Sequence, residues 1–265
     1  MNIISASNRQ ETLLRKLNRK KYRQKEQLFL IEGARAVEQV LANESVEVQT
    51  LFFDEDQQYW QQRSWQQVAD DIQIRSLSGD LFAEFSDTDT PQGVLALCQI
   101  PNEATVSELV SQKGTIVALD AVQDPGNLGT IIRTATWFGA CGIISGKGTV
   151  DLFHPKVVRA TAGATGSLPF MNGKLEEILP AFEQEGWPIY FLDAGEDAMD
   201  LAAIPSQERA VLVVGNEAHG IRTGLMNGRG TKVRISSPGG NPNVESLNAA
   251  VATSIVLYGF SDKLH

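Results

Sequence analysis

The chain has 265 residues, of which 42% are hydrophobic and 21% charged, and its formal net charge is −9. That length and composition exclude a chain that is disordered throughout and allow one large or two modest hydrophobic cores. No apolar run approaches the roughly 20 residues that span a bilayer, and the N-terminal residues lack the apolar stretch of a signal peptide, so we expect a cytoplasmic protein. The two cysteines, Cys98 and Cys141, each lie in an apolar run typical of a strand, which favours buried free thiols over a disulfide or a metal site.

Basic residues are concentrated at the N-terminus. Residues 1–35 hold nine Lys or Arg and three Glu, a local charge of +6 that leaves −15 on the remaining residues. A basic segment on an acidic body is typical of a localised contact with a polyanion. A solvated helix face would show the same charge run, so this pattern alone leaves both interpretations open.

The first hundred residues predict a small α/β module in which strands alternate with helices. Its predicted elements are, in chain order, a helix over 7–24, a strand over 28–31, a helix after Gly33, a strand over 48–53, a helix over 59–69, a strand over 72–77, a short helix over 81–85 and a strand over 94–100. No catalytic constellation is evident in this module. The polar stretch 101–113 has no long apolar period, and we interpret it as a linker.

Residues 114–139 predict a strand, a turn and a helix. The run 115–119 is β-branched and apolar, the cluster 124–127 (DPGN) is a dense turn signal, and apolar residues then recur at helical spacing as far as Gly139. Such a turn gathers backbone N–H groups and the positive end of a helix at the carboxyl edge of a sheet, where open α/β folds bind ligands. One cation, Arg133, lies a turn and a half into this helix.

The remaining residues continue the same α/β pattern. Three glycine-rich turns follow predicted strands in this half of the chain and can together enclose one ligand. The predicted elements are strands over 141–145, 188–192, 210–214 and 232–235, and helices over 154–160, 175–185 and 244–260.

Several common site classes are excluded by motif. No turn supplies the GxGxxG of a dinucleotide site, and Gly146-Lys147 lacks the rest of a P-loop. The histidines, His154, His219 and His265, do not have the spacing of a metal site. Ser246 has no GxSxG elbow around it, so helix capping is a better interpretation than a hydrolase nucleophile.

Three sequence motifs in the second half of the chain resemble those of a known protein family. They are DxxxDPGNLGTIIRTA from Asp120, VVGNExxGI from Val213 and VESLNAAVAT from Val244. In this order they resemble the SpoU-type (TrmH-like) RNA ribose methyltransferases, and the resemblance covers residues 114–265. The pattern at 19–33 (RKKYRxKExxFLIEG) and the tetrapeptide at 90–93 (TPQG) are similar to the substrate-binding domain of that family.

The resemblance implies an architecture. It predicts an α/β fold of the SPOUT class: a catalytic domain over 114–265 with a parallel sheet and a C-terminal trefoil knot, after a small α/β domain over 1–100 that binds RNA and a linker over 101–113. Patterning alone would not predict a knot, because knots are very rare. The resemblance also implies a homodimer and S-adenosylmethionine as the cofactor, bound in the knot loops.

The resemblance assigns roles residue by residue. Gly215, Ile235 and Leu247 would contact the cofactor, largely through backbone groups, and a glycine suits a backbone that must approach a ligand closely. Arg133 would act on the ribose 2′-OH. Because arginine stays protonated, we expect it to orient the hydroxyl or a phosphate and to lower the hydroxyl pKa. The remaining polar motif positions would shape the catalytic pocket: Asn127, Glu217, Ser246 and Asn248.

The predicted function is methyl transfer from S-adenosylmethionine to a ribose 2′-OH of structured RNA, without a metal. A separate N-terminal domain favours ribosomal over transfer RNA. The alternatives are a transfer-RNA enzyme, a non-catalytic RNA-binding relative, and a methyltransferase for protein or small molecules. The loop 236–245 is longer and more polar than that of the family. RNA contact is expected in the basic segment, at Lys20, Lys21, Arg23 and Lys25.

Overall fold

The computed structural model describes residues 4–57, 72–86, 92–195, 197–205, 208–237, 239 and 246–261. The chain divides into two compact units, the first formed by Met1–Asn102 with Asp151–Ser167 and the second by Glu103–Val150 with Leu168–His265. The helix predicted over 59–69 and most of the loop 236–245 lie outside the described residues. No helix among the described residues combines the length and apolar character that a membrane crossing needs.

The first unit is a mixed five-stranded sheet with helices. Its strand order is β1-β4-β3-β5-β2, in which β5 alone runs antiparallel to its neighbours. Its elements up to residue 100 are β1 (Ile4–Ser5), α1 (Asn8–Leu17), α2 (Lys20–Glu26), β2 (Leu28–Glu32), α3 (Ala34–Asn43), β3 (Val48–Asp54), β4 (Gln73–Leu77), α4 (Gly79–Phe85) and β5 (Val94–Gln99).

The N-terminal helix predicted over 7–24 is two helices. Ser7 caps α1 through a capping box with Gln10, and Leu14 and Leu17 turn its apolar face into the core. The break falls at Arg19, which is the N-cap of α2 and has an extended backbone (φ −105°, ψ 128°). The apolar period of α1 ends at Leu17, so nothing in the polar stretch that follows holds one continuous helix against the core.

The second unit is a seven-stranded sheet. Its order is β10-β12-β9-β11-β6-β7-β8, and every neighbouring pair is parallel, so the predicted parallel α/β fold is confirmed. Its strands are β6 (Gly114–Leu119), β7 (Gly142–Gly146), β8 (Phe170–Gly173), β9 (Ile189–Leu192), β10 (Met199–Asp200), β11 (Arg209–Val214) and β12 (Thr231–Arg234). Its helices are α5 (Val106–Val110), α6 (Pro125–Trp137), α8 (Leu175–Gln184), α9 (Thr223–Met226) and α10 (Ala249–Ser261).

The apolar character of the central strands explains their position. The last four residues of β6 and the last five of β11 are all buried, as in parallel strands that are covered on both faces. Because all strands run in one direction, their carboxyl ends lie at one edge of the sheet. The turns after β6, β11 and β12 therefore share that edge.

The stretch predicted as a linker, 101–113, is instead largely part of the second unit. Residues from Glu103 onward cluster with that unit, and α5 carries a capping box between Thr105 and Glu108. Leu109 is completely buried in the core of this unit. A helix of five residues gives too short an apolar period to stand out among polar neighbours, which is why the sequence pattern missed it.

Residues 151–167 depart from the predicted domain boundaries because they belong to the first unit. They contain α7 (Pro155–Ala160), whose Val157 and Val158 are buried, and the small-residue run 161–167. Gly163 has a positive φ of 96°, and a Cβ there would lie 2.5 Å from Oε1 of Gln39. The small residues therefore let this segment approach α3 closely.

Candidate active site

The turn after β6 is fixed by its own side chains. Asp124 is the N-cap of α6 and accepts a hydrogen bond from the backbone N–H of Asn127 at 2.7 Å. Pro125 occupies the first turn, where its missing N–H costs nothing. Ala121 adopts a left-handed conformation with φ 57°. The motif DPGN thus starts the helix at the carboxyl edge of the sheet, as predicted.

Three of the predicted catalytic residues form one hydrogen-bonded chain. Asn127 donates through Nδ2 to Oε1 of Glu217 at 3.1 Å, and its Oδ1 accepts from Nδ2 of Asn248 at 2.9 Å. Asn248 in turn caps α10, because its Oδ1 accepts from the backbone N–H groups of Ala250 and Val251. The three sequence motifs therefore meet through side chains that are far apart in the chain.

Glu217 is held in its ionised form. Burial raises the pKa of its carboxyl group, but hydrogen bonds from the Asn127 side chain and from backbone N–H groups, including those of Gln123 and Asp124, outweigh burial and lower the pKa below its usual value. One of these donors is the backbone N–H of Glu217 itself, and all the others belong to the turn after β6. The carboxylate is thus occupied in holding that turn, and this use differs from that of a general base.

Gly215 begins the turn after β11. A Cβ at this position would lie 2.4 Å from the carbonyl carbon of Gly220 and 2.5 Å from the backbone nitrogen of Ile221. The backbone of the turn itself therefore already requires glycine, independently of any ligand. Asn216 fixes the same turn by donating through Nδ2 to the carbonyl oxygen of Ala121 at 2.8 Å and by accepting from Ala218 and His219.

The other predicted site residues are not joined to this chain of hydrogen bonds. Arg133 is exposed and makes no hydrogen bond or ion pair within the described part of the chain, and the same holds for Ser246. Arg133 lies six residues after Asn127 on α6, which turns its side chain about 120° around the helix axis from that of Asn127. Ile235 follows β12 and is half-buried, whereas Leu247, beside Asn248, is 47% exposed.

The predicted RNA contacts require one correction. Lys20, Lys21 and Lys25 are exposed on α2, as an RNA contact needs. Arg23 is only 1% exposed: its Nε and Nη2 both donate to Oδ2 of Asp151, at 2.9 and 2.5 Å, and its Nη1 donates to the carbonyl oxygen of Leu17 at 2.7 Å. Arg23 is therefore a structural residue and is removed from the RNA-binding set.

No role was assigned from sequence to the buried carboxylate of Asp120. Asp120 directly follows β6 and has no exposed surface, and it accepts hydrogen bonds from the guanidinium Nε of Arg222 at 2.7 Å and from the backbone N–H of Arg222 at 2.9 Å. Asp120 belongs to the first motif, and its position directly after an apolar strand was the available signal. Arg222 lies one residue beyond the second motif, and no pattern marked it.

Comparison with known proteins supports the motif resemblance. The model of the SpoU rRNA Methylase family matches residues 114–258, and that of an MRM3-like substrate binding domain matches residues 8–96. The 23S rRNA (guanosine(2553)-2'-O)-methyltransferase RlmP of Bacillus subtilis is 34% identical over 256 residues, 97% of this chain and 97% of that protein.

Solved structures agree over the whole chain. The AdoMet-bound rRNA methyltransferase from Sinorhizobium meliloti has a TM-score of 0.84 and 29% identity, covering 99% of this chain and 98% of that chain. The SpoU methyltransferase AviRb from Streptomyces viridochromogenes, in complex with AdoMet, has a TM-score of 0.82 and 26% identity and covers 98% of both chains.

Fold, motif turns and relatives together define a methyltransferase that acts on RNA. The chain belongs to the SpoU rRNA methylase family. The predicted family and the predicted class of enzyme are thereby confirmed.

Proposed function

We propose that this protein transfers a methyl group from S-adenosylmethionine to a ribose 2′-OH of ribosomal RNA. The observation that carries the proposal is the chain of hydrogen bonds from Glu217 through Asn127 to Asn248, because it joins the three family motifs at one edge of the sheet. Arg133, on the same helix as Asn127, keeps its guanidinium free of any partner in the described residues and available to a substrate.

The residues at this edge fit S-adenosylmethionine. Leu247 keeps a large apolar side chain 47% exposed at the start of the third motif, and Ile235 is half-buried after β12. Exposed apolar side chains of this kind suit an adenine ring. Gly215 opens a turn at the same edge with no side chain to cover its backbone. We therefore assign cofactor contact to Gly215, Ile235 and Leu247.

The bound cofactor would supply an electrophilic methyl group on a sulfonium. What this chain must supply is the position of the ribose hydroxyl and help in losing its proton. We assign to Arg133, as a permanent cation, the orientation of the hydroxyl or an adjacent phosphate and the stabilisation of the developing alkoxide. Because arginine stays protonated, the hydroxyl proton passes to solvent as the methyl group is transferred. Ser246 and Asn248 shape the pocket, and Glu217 and Asn127 hold the turns in register.

The substrate is assigned to ribosomal rather than transfer RNA. RlmP of Bacillus subtilis and an adenosine(1067) enzyme of Streptomyces laurentii, 34% identical over 197 residues, are both named as 23S rRNA 2'-O-methyltransferases. The first unit carries Lys20, Lys21 and Lys25 exposed on α2, and we propose that it binds the RNA. Acting on ribosomal RNA is in keeping with a cytoplasmic location.

We further propose a homodimer and the trefoil knot of the family. Exposed apolar side chains on α6 and α10 support the dimer: Trp137 is 84%, Val251 48% and Tyr258 56% exposed. Arg133 shares a face of α6 with Trp137, four residues on, so a second copy covering that face would bring groups to Arg133. The return of α10 to pack on α6 is consistent with the knot.

Sedimentation velocity tests the dimer. We expect wild-type protein to sediment as a dimer at micromolar concentration and Trp137→Glu to sediment as a monomer, because a charge at this position cannot be buried without a partner. A monomeric wild-type protein would contradict the homodimer, and a Trp137→Glu variant that remains dimeric would contradict an interface that includes Trp137.

Methyl transfer from labelled S-adenosylmethionine tests the function itself. The acceptors are ribosomal and transfer RNA, kept separate, from cells that lack this gene. We expect label in the ribosomal fraction at a linkage that resists alkali, since a methylated 2′-O cannot assist cleavage of the neighbouring phosphodiester. Label confined to transfer RNA would overturn the assignment of ribosomal RNA as the substrate. Cofactor binding without transfer to any RNA would favour the alternative of a non-catalytic RNA-binding relative.

A further inference from the structure

We propose that Asp120 and Arg222 form a positioning pair that holds the turn 215–222 in the geometry needed to bind S-adenosylmethionine. The inference rests on the proposed contact between this turn and the cofactor. In the described part of the chain, neither side chain is hydrogen-bonded to Glu217, Asn127 or Asn248, so the pair would act through the backbone.

The geometry of the pair is that of a tether. The Asp120 carboxylate is completely buried, and its two oxygens receive different groups of Arg222: Oδ1 the guanidinium Nε at 2.7 Å and Oδ2 the backbone N–H at 2.9 Å. A buried carboxylate is costly unless hydrogen bonds satisfy it, so the charge of Asp120 fixes both the side chain and the backbone of Arg222. The backbone bond ties the chain to the residue that follows β6. The guanidinium compensates the buried charge that accepts this bond, so losing the guanidinium weakens the tether even though the backbone N–H remains.

The tether acts on the far end of the turn. Arg222 directly follows Gly220 and Ile221, whose backbone atoms crowd the Cα of Gly215. Asn216 ties the near end of the turn to Ala121. Releasing Arg222 would therefore free Ile221, whereas Gly220 stays paired with Asn216 through backbone hydrogen bonds of 3.0 and 2.9 Å. The backbone at Gly215, proposed to contact the cofactor, would lose the part of its packing surface that Ile221 provides.

Arg222 also carries an outer contact that provides a matched control. Its Nη1 donates to Oε1 of Glu176 at 2.6 Å, and these side chains are 45% and 44% exposed. Exposed ion pairs contribute little, so removing Glu176 leaves the inner contacts with Asp120 in place. Glu176→Gln therefore separates the outer ion pair from the tether.

The experiment compares Arg222→Gln, Arg222→Lys and Glu176→Gln with the wild-type protein. Calorimetric titration gives the Kd for S-adenosylmethionine, and single-turnover assays at saturating cofactor give the rate of methyl transfer. For Arg222→Gln we expect Kd to rise roughly tenfold, as for loss of a charged hydrogen bond, with the saturated rate within about twofold of wild type. Arg222→Lys should recover part of the affinity, and Glu176→Gln should match wild type.

The outcomes separate this inference from the function on which it rests. Failure of wild-type protein to bind S-adenosylmethionine would overturn the proposed function. Binding by wild type and unchanged affinity in folded Arg222→Gln would overturn the positioning pair alone, as would an equal loss in Glu176→Gln. If Arg222→Gln does not fold, Asp120→Asn tests the same pair, because an amide keeps the shape of the carboxylate but removes its charge and leaves one acceptor oxygen for the two groups of Arg222.

Discussion

The basic helix α2 of the first unit and the motif helix α6 of the second each carry an arginine predicted to meet RNA, and the two arginines lie in opposite environments. Arg23 is buried and gives three hydrogen bonds to Asp151 and Leu17. Arg133 is exposed, with no partner in the described residues. The difference is set by an aspartate 128 residues away from Arg23. A cluster of positive charge in a sequence therefore mixes residues that bind a ligand with residues that hold the fold.

Arg133→Ala should have the largest effect, on catalysis alone. We expect methyl transfer to fall about a thousandfold or more, because the only assigned source of positive charge at the reacting hydroxyl is lost. The Kd for S-adenosylmethionine should stay within about threefold, since Arg133 is not assigned to the cofactor. Single-turnover kinetics and calorimetric titration measure the two quantities.

Arg229→Ala is the matched control for Arg133→Ala, because Arg229 belongs to the same unit and pairs with Glu183 away from the motif residues. Its methyl transfer should resemble that of wild type. Parallel loss of cofactor affinity and rate in Arg133→Ala would count against the assigned role.

Arg23→Met should act on stability instead. Removing one partner of a buried ion pair leaves Asp151 uncompensated, and we expect the free energy of unfolding to fall by about 3–5 kcal/mol. Urea unfolding measures this change. Arg23→Met combined with Asp151→Leu should recover most of the loss, and a single variant as stable as wild type would show that the ion pair does not hold this region.

Neutralising the three exposed lysines of α2 should have a smaller effect, on RNA binding. For the triple change of Lys20, Lys21 and Lys25 to Gln, we expect weaker binding and a salt dependence whose logarithmic slope is lower by about 2. Titration of ribosomal RNA fragments at several salt concentrations measures the slope. Lys113→Gln, in the second unit, should leave it unchanged, and an unaltered slope in the triple variant would remove α2 from the RNA contact.

The smallest expected effect concerns Glu217 and pH. Its pKa is lowered from the usual 4.5, so its ionised form stabilises the fold fully above the unfolded pKa and loses that contribution as the pH falls through the lower folded value. The stability difference between wild type and Glu217→Gln should therefore be constant at neutral pH and shrink below about pH 4.5. Urea unfolding from pH 7 to 3 tests this prediction. A stability difference that grows in acid would contradict the lowered pKa of Glu217.

The sequence predicted the second unit better than the first, for physical reasons. Its strands are continuous apolar runs between glycine-rich turns, and its three motifs predicted that Asn127, Glu217 and Asn248 share one edge, where direct hydrogen bonds join Asn127 to both of the others. Local pattern could not reveal the partner of a side chain, which is why Arg23 was assigned to RNA and Arg222 was missed. It also could not show the break at Arg19, because α2 is polar and short.

Residues 151–167 belong to the first unit, and this affects how the chain can be recombined with a relative to make a chimera. One compact unit is encoded by two separate stretches of the gene, so a single crossover between relatives would join a first unit to a foreign 151–167 segment. The buried side chains of this segment, Leu152, Phe153 and Val157, would then pack against side chains from a different protein. Asp151 would keep its ion pair only if the other protein also has an arginine at position 23. Chimeras of this chain with a relative should therefore be assembled with two exchanged segments rather than one.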